Sequence, residues 1–126
     1  MLASQPIIAF IPTHNYATAR TFYEGALGLC FVSQDQFALV MDANGTMLRI
    51  TAAGDFTPHP FTTLGWQVSD IETTVAGLTA KGVQFQRYTF LEQNAAGIWS
   101  APGGTKVAWF TDPDGNTLSL SQHPKD

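Results

Sequence analysis

Asp112-Pro113-Asp114-Gly115-Asn116, followed by Thr117-Leu118-Ser119-Leu120-Ser121, is the most constraining stretch of the chain. Its composition is that of a turn. Asp folds back onto nearby backbone N–H groups, Pro presets φ, and Gly accepts a positive φ. A faded copy lies seventy positions earlier, Asp42-Ala43-Asn44-Gly45-Thr46 followed by Met47-Leu48-Arg49-Ile50-Thr51. Laid over each other without a gap, 37–51 and 107–121 share Ala38/Ala108, Asp42/Asp112, Gly45/Gly115 and Leu48/Leu118. These identities fall on the turn and the strand interior, where backbone geometry is most demanding. Two copies of one hairpin imply two copies of one supersecondary unit.

The rest of the chain can be read against that repeat. Ile7–Ile11 is a short apolar strand, and Asn15 can cap a helix by accepting a first-turn N–H. Ala19, Phe22, Tyr23, Ala26 and Leu27 follow the spacing of one buried helical face, and Gly28 supplies a left-handed stop. A strand over about Cys30–Ser33 and the hairpin 37–51 complete the first half. Cys30, between Leu29 and Phe31, reads as a buried strand thiol. The stretch 52–61, with Gly54, Pro58 and Pro60, is a connector. The order then begins again: a strand at Thr63–Val68, a cap at Asp70 with a possible box Ser69-x-x-Glu72, and a helix striped by Ile71, Val75 and Leu78. Gly82 ends that helix, Val83–Tyr88 is a further strand, and a loop over about 91–104 leads to the closing hairpin. Each half thus reads strand, helix, strand, strand, strand. The fold class is α+β, with tandem βαβββ modules at about 5–52 and 62–122 in a single domain. The sheet is mainly antiparallel, with helices on one face.

Composition narrows the partners. A net charge of −4 and a pI near 5.1 leave no basic stripe for a nucleic acid. No apolar run reaches the roughly 20 residues that span a bilayer, and no basic leader precedes the first strand. One cysteine excludes an internal disulfide framework and suits a reducing compartment. The expected location is the cytoplasm.

Strand alternation separates the two faces. Leu64, Trp66 and Val68 oppose Thr63, Gly65 and Gln67; Leu118 and Leu120 oppose Thr117, Ser119 and Ser121; Leu48 and Ile50 oppose Met47, Arg49 and Thr51. The apolar sets belong under the helices. If both turns are three-residue loops closing in a bulge, Trp109 lies opposite Ser119 and Leu39 opposite Arg49. The second face then holds Ile8, Phe10, Leu39, Arg49, Thr63, Gly65, Gln67, Trp109 and Ser119. Apolar and aromatic walls with a few polar groups are the composition of a small-molecule pocket.

Phe22-Tyr23 before Leu27-Gly28, Val68-x-Asp70 before the second helix, and Asp112-Pro113-Asp114-Gly115-Asn116 before the last strand occur here in one order over the full length. In this arrangement the chain resembles the vicinal-oxygen-chelate superfamily of glyoxalase I, extradiol dioxygenases, fosfomycin-resistance enzymes and bleomycin-resistance proteins. The resemblance implies sheets curled around a cup and a homodimer. It also implies His or Glu metal ligands at the positions occupied here by Ile8, Arg49, Thr63 and Ser119. Ile8 has no donor atom, Arg49 is cationic, and Thr63 and Ser119 are neutral hydroxyls. The expectation is therefore no metal and no cofactor.

What remains is binding of a small aromatic or anionic molecule, in the manner of bleomycin-resistance proteins. Its candidate residues are Arg49, Trp109, Gln67, Ser119, Thr63, Phe10 and Trp99. Arg49 suits a carboxylate or phosphate held by two parallel hydrogen bonds; the bland reading is a structural ion pair. Trp99, on the long loop, suits a lid or a stacking platform, whereas Trp66 belongs to the core. The alternative is a lyase, isomerase or dioxygenase relative using metal-free acid–base chemistry or non-family ligands such as His14 or His59. Asp112 and Asp114 read as turn residues and not as an acid–base pair.

Overall fold

The computed structural model describes residues 1–125. It divides into two compact units, one ending at Thr57 and the other beginning at Pro58, inside the Gly/Pro-rich connector.

The first unit contains β1 (Ile8–Thr13), α1 (Tyr16–Arg20), β2 (Cys30–Gln34), β3 (Ala38–Ala43) and β4 (Thr46–Ala52). Its sheet has the order β1-β4-β3-β2, with β1 and β4 parallel and the other pairs antiparallel. Asn15 caps α1, its Oδ1 accepting the Thr18 N–H at 3.0 Å. After Arg20 the helix widens into a π-helical segment, Thr21–Ala26, in which the Leu27 N–H reaches back to Phe22 O. An i→i+5 bond spans one residue more than the α-helical bond and shifts the phase of the side chains. Of the five-residue stripe read from the sequence, Ala19 and Tyr23 are fully buried while Phe22, Ala26 and Leu27 are only half-buried. Gly28 ends the helix at φ 78° as expected. Ile11, Leu39, Met41, Leu48 and Ile50, each at most 1% exposed, form the core under this helix.

The turn of the first hairpin departs from expectation. Ala43 pairs with Thr46, leaving a two-residue loop in which Asn44 (φ 51°) and Gly45 (φ 89°) are both left-handed. Two positive-φ residues are the requirement of a type I′ turn, whose twist matches that of the flanking strands. The register therefore places Val40, not Leu39, opposite Arg49; Leu39 pairs with Ile50 in the core. Cys30 also differs from expectation. It lies on the edge strand β2 and is exposed, because the sheet ends there.

The second unit contains β5 (Thr62–Gln67), α2 (Ile71–Ala80), β6 (Trp99–Ser100), β7 (Lys106–Thr111) and β8 (Thr117–Gln122). Its sheet, β5-β8-β7-β6, repeats the first order, again with one parallel pair. Asp70 caps α2 through the Thr73 N–H (3.2 Å) and hydroxyl (2.8 Å). The Ser69/Glu72 box does not form, and Glu72 instead meets Lys106 at 3.5 Å. Val83–Tyr88 is not a strand. Phe85 makes a single bridge to Phe110, and the edge of β7 is then taken by Trp99–Ser100, within the expected loop. Ile71, Val75, Ala108, Phe110 and Leu118 form this unit's core. The fold class is the expected α+β, two βαβββ modules each with a mixed four-stranded sheet. Among the described residues no helix is long and apolar enough to cross a membrane.

Candidate functional site

In the first unit the sheet face turned away from α1 is apolar around one cation. Arg49 is half-buried on β4, with Phe10 of β1 and Val40 of β3 as its register partners. One row away, Ile8 pairs with Met47. Phe10, Ile8 and Met47 are 60%, 45% and 41% exposed while Val40 is 7% exposed, so the apolar surface is open on the β1 side of Arg49 and covered on the β3 side. The chain has three arginines, and two are spent locally. Arg20 is ion-paired to Glu24 at 3.0 Å and lies 3.7 Å over the Phe31 ring. Arg87 donates to the carbonyls of Gln93 and Asn94. Among the described residues the Arg49 guanidinium makes no hydrogen bond and no ion pair. Its field does reach Asp35, whose carboxyl is held below the usual range, first by the N–H groups of Phe37 and Ala38 and then by Arg49.

In the second unit the corresponding face is aromatic and hydroxylated. Trp109 lies opposite Ser119, as the turn reading expected, and Ser119 lies opposite Gly65. The fit between the last two is tight, since a Cβ on Gly65 would stand 2.7 Å from Ser119 Oγ. The next row runs from Gln67 through Ser121 and Val107 to Trp99. Trp99 and Trp109 have ring centroids 6.0 Å apart at 31°, and Tyr88 meets Trp109 edge-on at 5.4 Å. Trp66 is on the other face, stacked at 6.3 Å on buried Phe110.

Trp109, Ser119, Gln67 and Trp99 share one face of the second sheet, and Arg49 and Phe10 share one face of the first. Trp99 is part of strand β6 and not a free loop. Thr63 sits in a bulge between the Thr62–Thr117 and Leu64–Leu118 pairs, and its hydroxyl donates to Thr117 O at 3.2 Å. Tyr88 was not anticipated, because no local pattern around it announces a ring that folds back on β7.

The four positions where the resemblance implies metal ligands do not suit a metal. Ile8 and Arg49 offer no lone pair, the Thr63 hydroxyl is directed at a carbonyl, and Ser119 is a neutral alcohol. Nor do the histidines supply a substitute. His14 stacks on Phe56 at 4.1 Å, His59 stacks on Phe61 at 4.8 Å, and His123 meets Ser121 Oγ at 3.1 Å. No group of three His, Cys, Asp or Glu side chains able to hold a metal ion occurs among the described residues. Asp112 acts as the hub of its turn, accepting from the N–H groups of Asp114 and Asn116 and from the Asn116 side-chain amide.

Comparison with known proteins gives a consistent picture. The family described as Glyoxalase/Bleomycin resistance protein/Dioxygenase superfamily matches residues 7–120. A member of that superfamily from Sphaerobacter thermophilus has 22% identity and a TM-score of 0.75, over 98% of this chain and 100% of its own. A glyoxalase family protein from Enterococcus faecalis has 22% identity and a TM-score of 0.73, over 96% and 99% of the two chains. A lactoylglutathione lyase from Agrobacterium tumefaciens has 14% identity and a TM-score of 0.73, over 94% and 93%. At such identities the likeness is one of fold. None of the curated proteins matches the chain.

Proposed function

This chain belongs to the glyoxalase/bleomycin resistance protein/dioxygenase superfamily, and we propose that within it the chain is a metal-free binder of a small aromatic or anionic molecule, similar in mode to bleomycin-resistance proteins. The observation that carries this reading is Arg49. A half-buried guanidinium framed by Phe10, Val40, Ile8 and Met47 makes no hydrogen bond and no ion pair among the described residues, and attracts Asp35 only through space. A carboxylate or phosphate would accept two of its five N–H donors at once. Hydrogen bonds to charged groups contribute roughly 1.5–3 kcal/mol each, so such a ligand would depend strongly on this side chain. In the second unit, taken by itself, Trp109, Trp99, Ser119 and Gln67 offer ring faces and polar edges that suit an aromatic ligand. Phe10 belongs to the same proposed set. Thr63 has the weakest claim, since its hydroxyl already has an acceptor. A homodimer is part of this reading, and light scattering tests it.

Isothermal calorimetry with 2-naphthoate, which joins a flat ring to a carboxylate, tests the role of Arg49. Arg49→Ala weakens binding by about tenfold or more, as expected for loss of a charge-assisted pair. Arg49→Lys, which keeps the charge without the planar fork, falls between. Equal affinity in wild type and Arg49→Ala overturns the role given to Arg49. One tightly held transition-metal ion per chain, by elemental analysis of protein purified without chelator, overturns the metal-free reading.

A further inference from the structure

Between Phe85 and Trp99 the second unit has no strand of its own, yet this stretch brings two rings against Trp109. Arg87 donates to the carbonyls of Gln93 and Asn94, and one further side chain bonds on both sides of the stretch. Gln93 Nε2 donates to Gln86 O at 2.9 Å and to Gly97 O at 2.8 Å, and Gln93 Oε1 accepts the Tyr88 N–H at 2.8 Å. The Gln93 backbone also forms a bridge to Trp99. Both amide donors and one acceptor lone pair are thus used, on a half-buried side chain. The segment that ends at Tyr88 and the segment that leads into Trp99 are tied to the same amide.

The partners show what this tie controls. Gln86 donates its own N–H to Trp109 O at 2.7 Å, so the Gln93 amide is one step from the strand that carries the central ring. Tyr88 stands edge-on to Trp109 at 87°, and Trp99 is tilted over it at 31°. A simple loop staple has no reason to end beside each ring. Asn94 Oδ1, by contrast, accepts from Ala96 and Ile98 within its own turn and bonds to nothing on the Tyr88 side. We infer that Gln93 is the positioning residue of the aromatic face, holding Tyr88 and Trp99 against Trp109 and so selecting a flat fused-ring ligand over an aliphatic one.

The chemistry requires an amide of this length. Glu at the same position would have acceptors where two carbonyl oxygens need donors, Met would offer neither, and Asn is one methylene short. The selection of a ligand rests on the function proposed above, whereas the positioning of the rings does not. The experiment therefore reads the two separately.

Two indoles at the separation of Trp99 and Trp109 couple, giving paired circular-dichroism bands that Trp99→Phe abolishes and so identifies. Gln93→Glu is expected to lose that couplet and to weaken 2-naphthoate about tenfold, the upper end of what one aromatic contact contributes. Cyclohexane carboxylate, the aliphatic comparison, is expected to change less than twofold. Asp70→Ala removes the α2 cap in the same unit and serves as the control, lowering the urea midpoint and leaving the couplet intact. If Gln93→Glu does not fold, Gln93→Asn applies the same test, with the amide kept and its reach shortened. An intact couplet in either folded variant overturns the positioning role. Loss of the couplet with unchanged naphthoate affinity upholds the positioning role and overturns this face as the ligand face.

Discussion

Sheet β1-β4-β3-β2 and sheet β5-β8-β7-β6 have the same order and the same single parallel pair, but their helix-free faces and hairpin turns differ. The first face offers a cation among aliphatic side chains and Phe10; the second offers two indoles, a phenol and hydroxyls. The first hairpin turns on Asn44-Gly45, stabilised by its own backbone angles and by one exposed contact from the Gly45 N–H to Asp42 at 3.4 Å. The second turns on Asp112–Asn116, where a carboxylate only 5% exposed gathers three donors. The two modules therefore keep strand pairing in common. The means of making the turn, and the side chains beyond it, vary independently.

Substitution at matched positions tests how deep that difference runs. The largest contrast is between Asp112→Ala and Asp42→Ala. The first strips buried donors of their acceptor and is expected to cost about 2–4 kcal/mol in urea unfolding, the second less than about 0.5 kcal/mol. Equal costs would mean that the two turns are energetically alike despite their geometry. A smaller contrast separates the glycines. Gly45 and Gly115 have φ of 89° and 88°, so Ala at either is expected to cost about 1–2 kcal/mol. Gly115→Ala should cost more, because its Cβ would meet Pro58 Cγ at 3.2 Å while Gly45 faces open space. Smallest is the effect of acid on the cap of α2. The Asp70 carboxyl is held below its ordinary value of about 3.9 by the Thr73 hydroxyl and then the Thr73 N–H. A depressed folded-state pKa adds stability that is complete above the ordinary value and is lost as pH falls through the folded one. Below about pH 3.9 the urea midpoints of wild type and Asp70→Asn should therefore converge. A constant gap down to the lowest pH would mean that the carboxylate charge is not what caps the helix.

The sequence was most informative where short-range geometry is decisive. Asn15 and Asp70 as caps, Gly28 and Gly115 at positive φ, and the Trp109–Ser119 pairing all follow from local chemistry with few alternatives. Ala43-Asn44-Gly45 was harder, because it is compatible with both a two-residue and a three-residue loop. The choice moved Leu39 into the core and brought Val40 to Arg49. The π-helical segment at Thr21–Ala26 is a deviation of backbone phase that side-chain spacing does not report. Val83–Tyr88 has good strand composition, but only Phe85 pairs, and a two-residue strand from much further along completes the sheet. Gln93 carries no sequence signal because its partners are backbone atoms up to seven residues away.

The register of β3 is specified twice over by independent means. One specification is the pair of left-handed residues at Asn44 and Gly45; the other is the alternation that hides Leu39 and Met41 completely. A slip of one residue would turn both of those side chains outward and bring Asp42 into the apolar layer. Redundancy of this kind is a form of error tolerance. A sequence change that weakens the turn leaves the core to hold the register. The helix-free face can then accept substitutions without the hairpin losing its place.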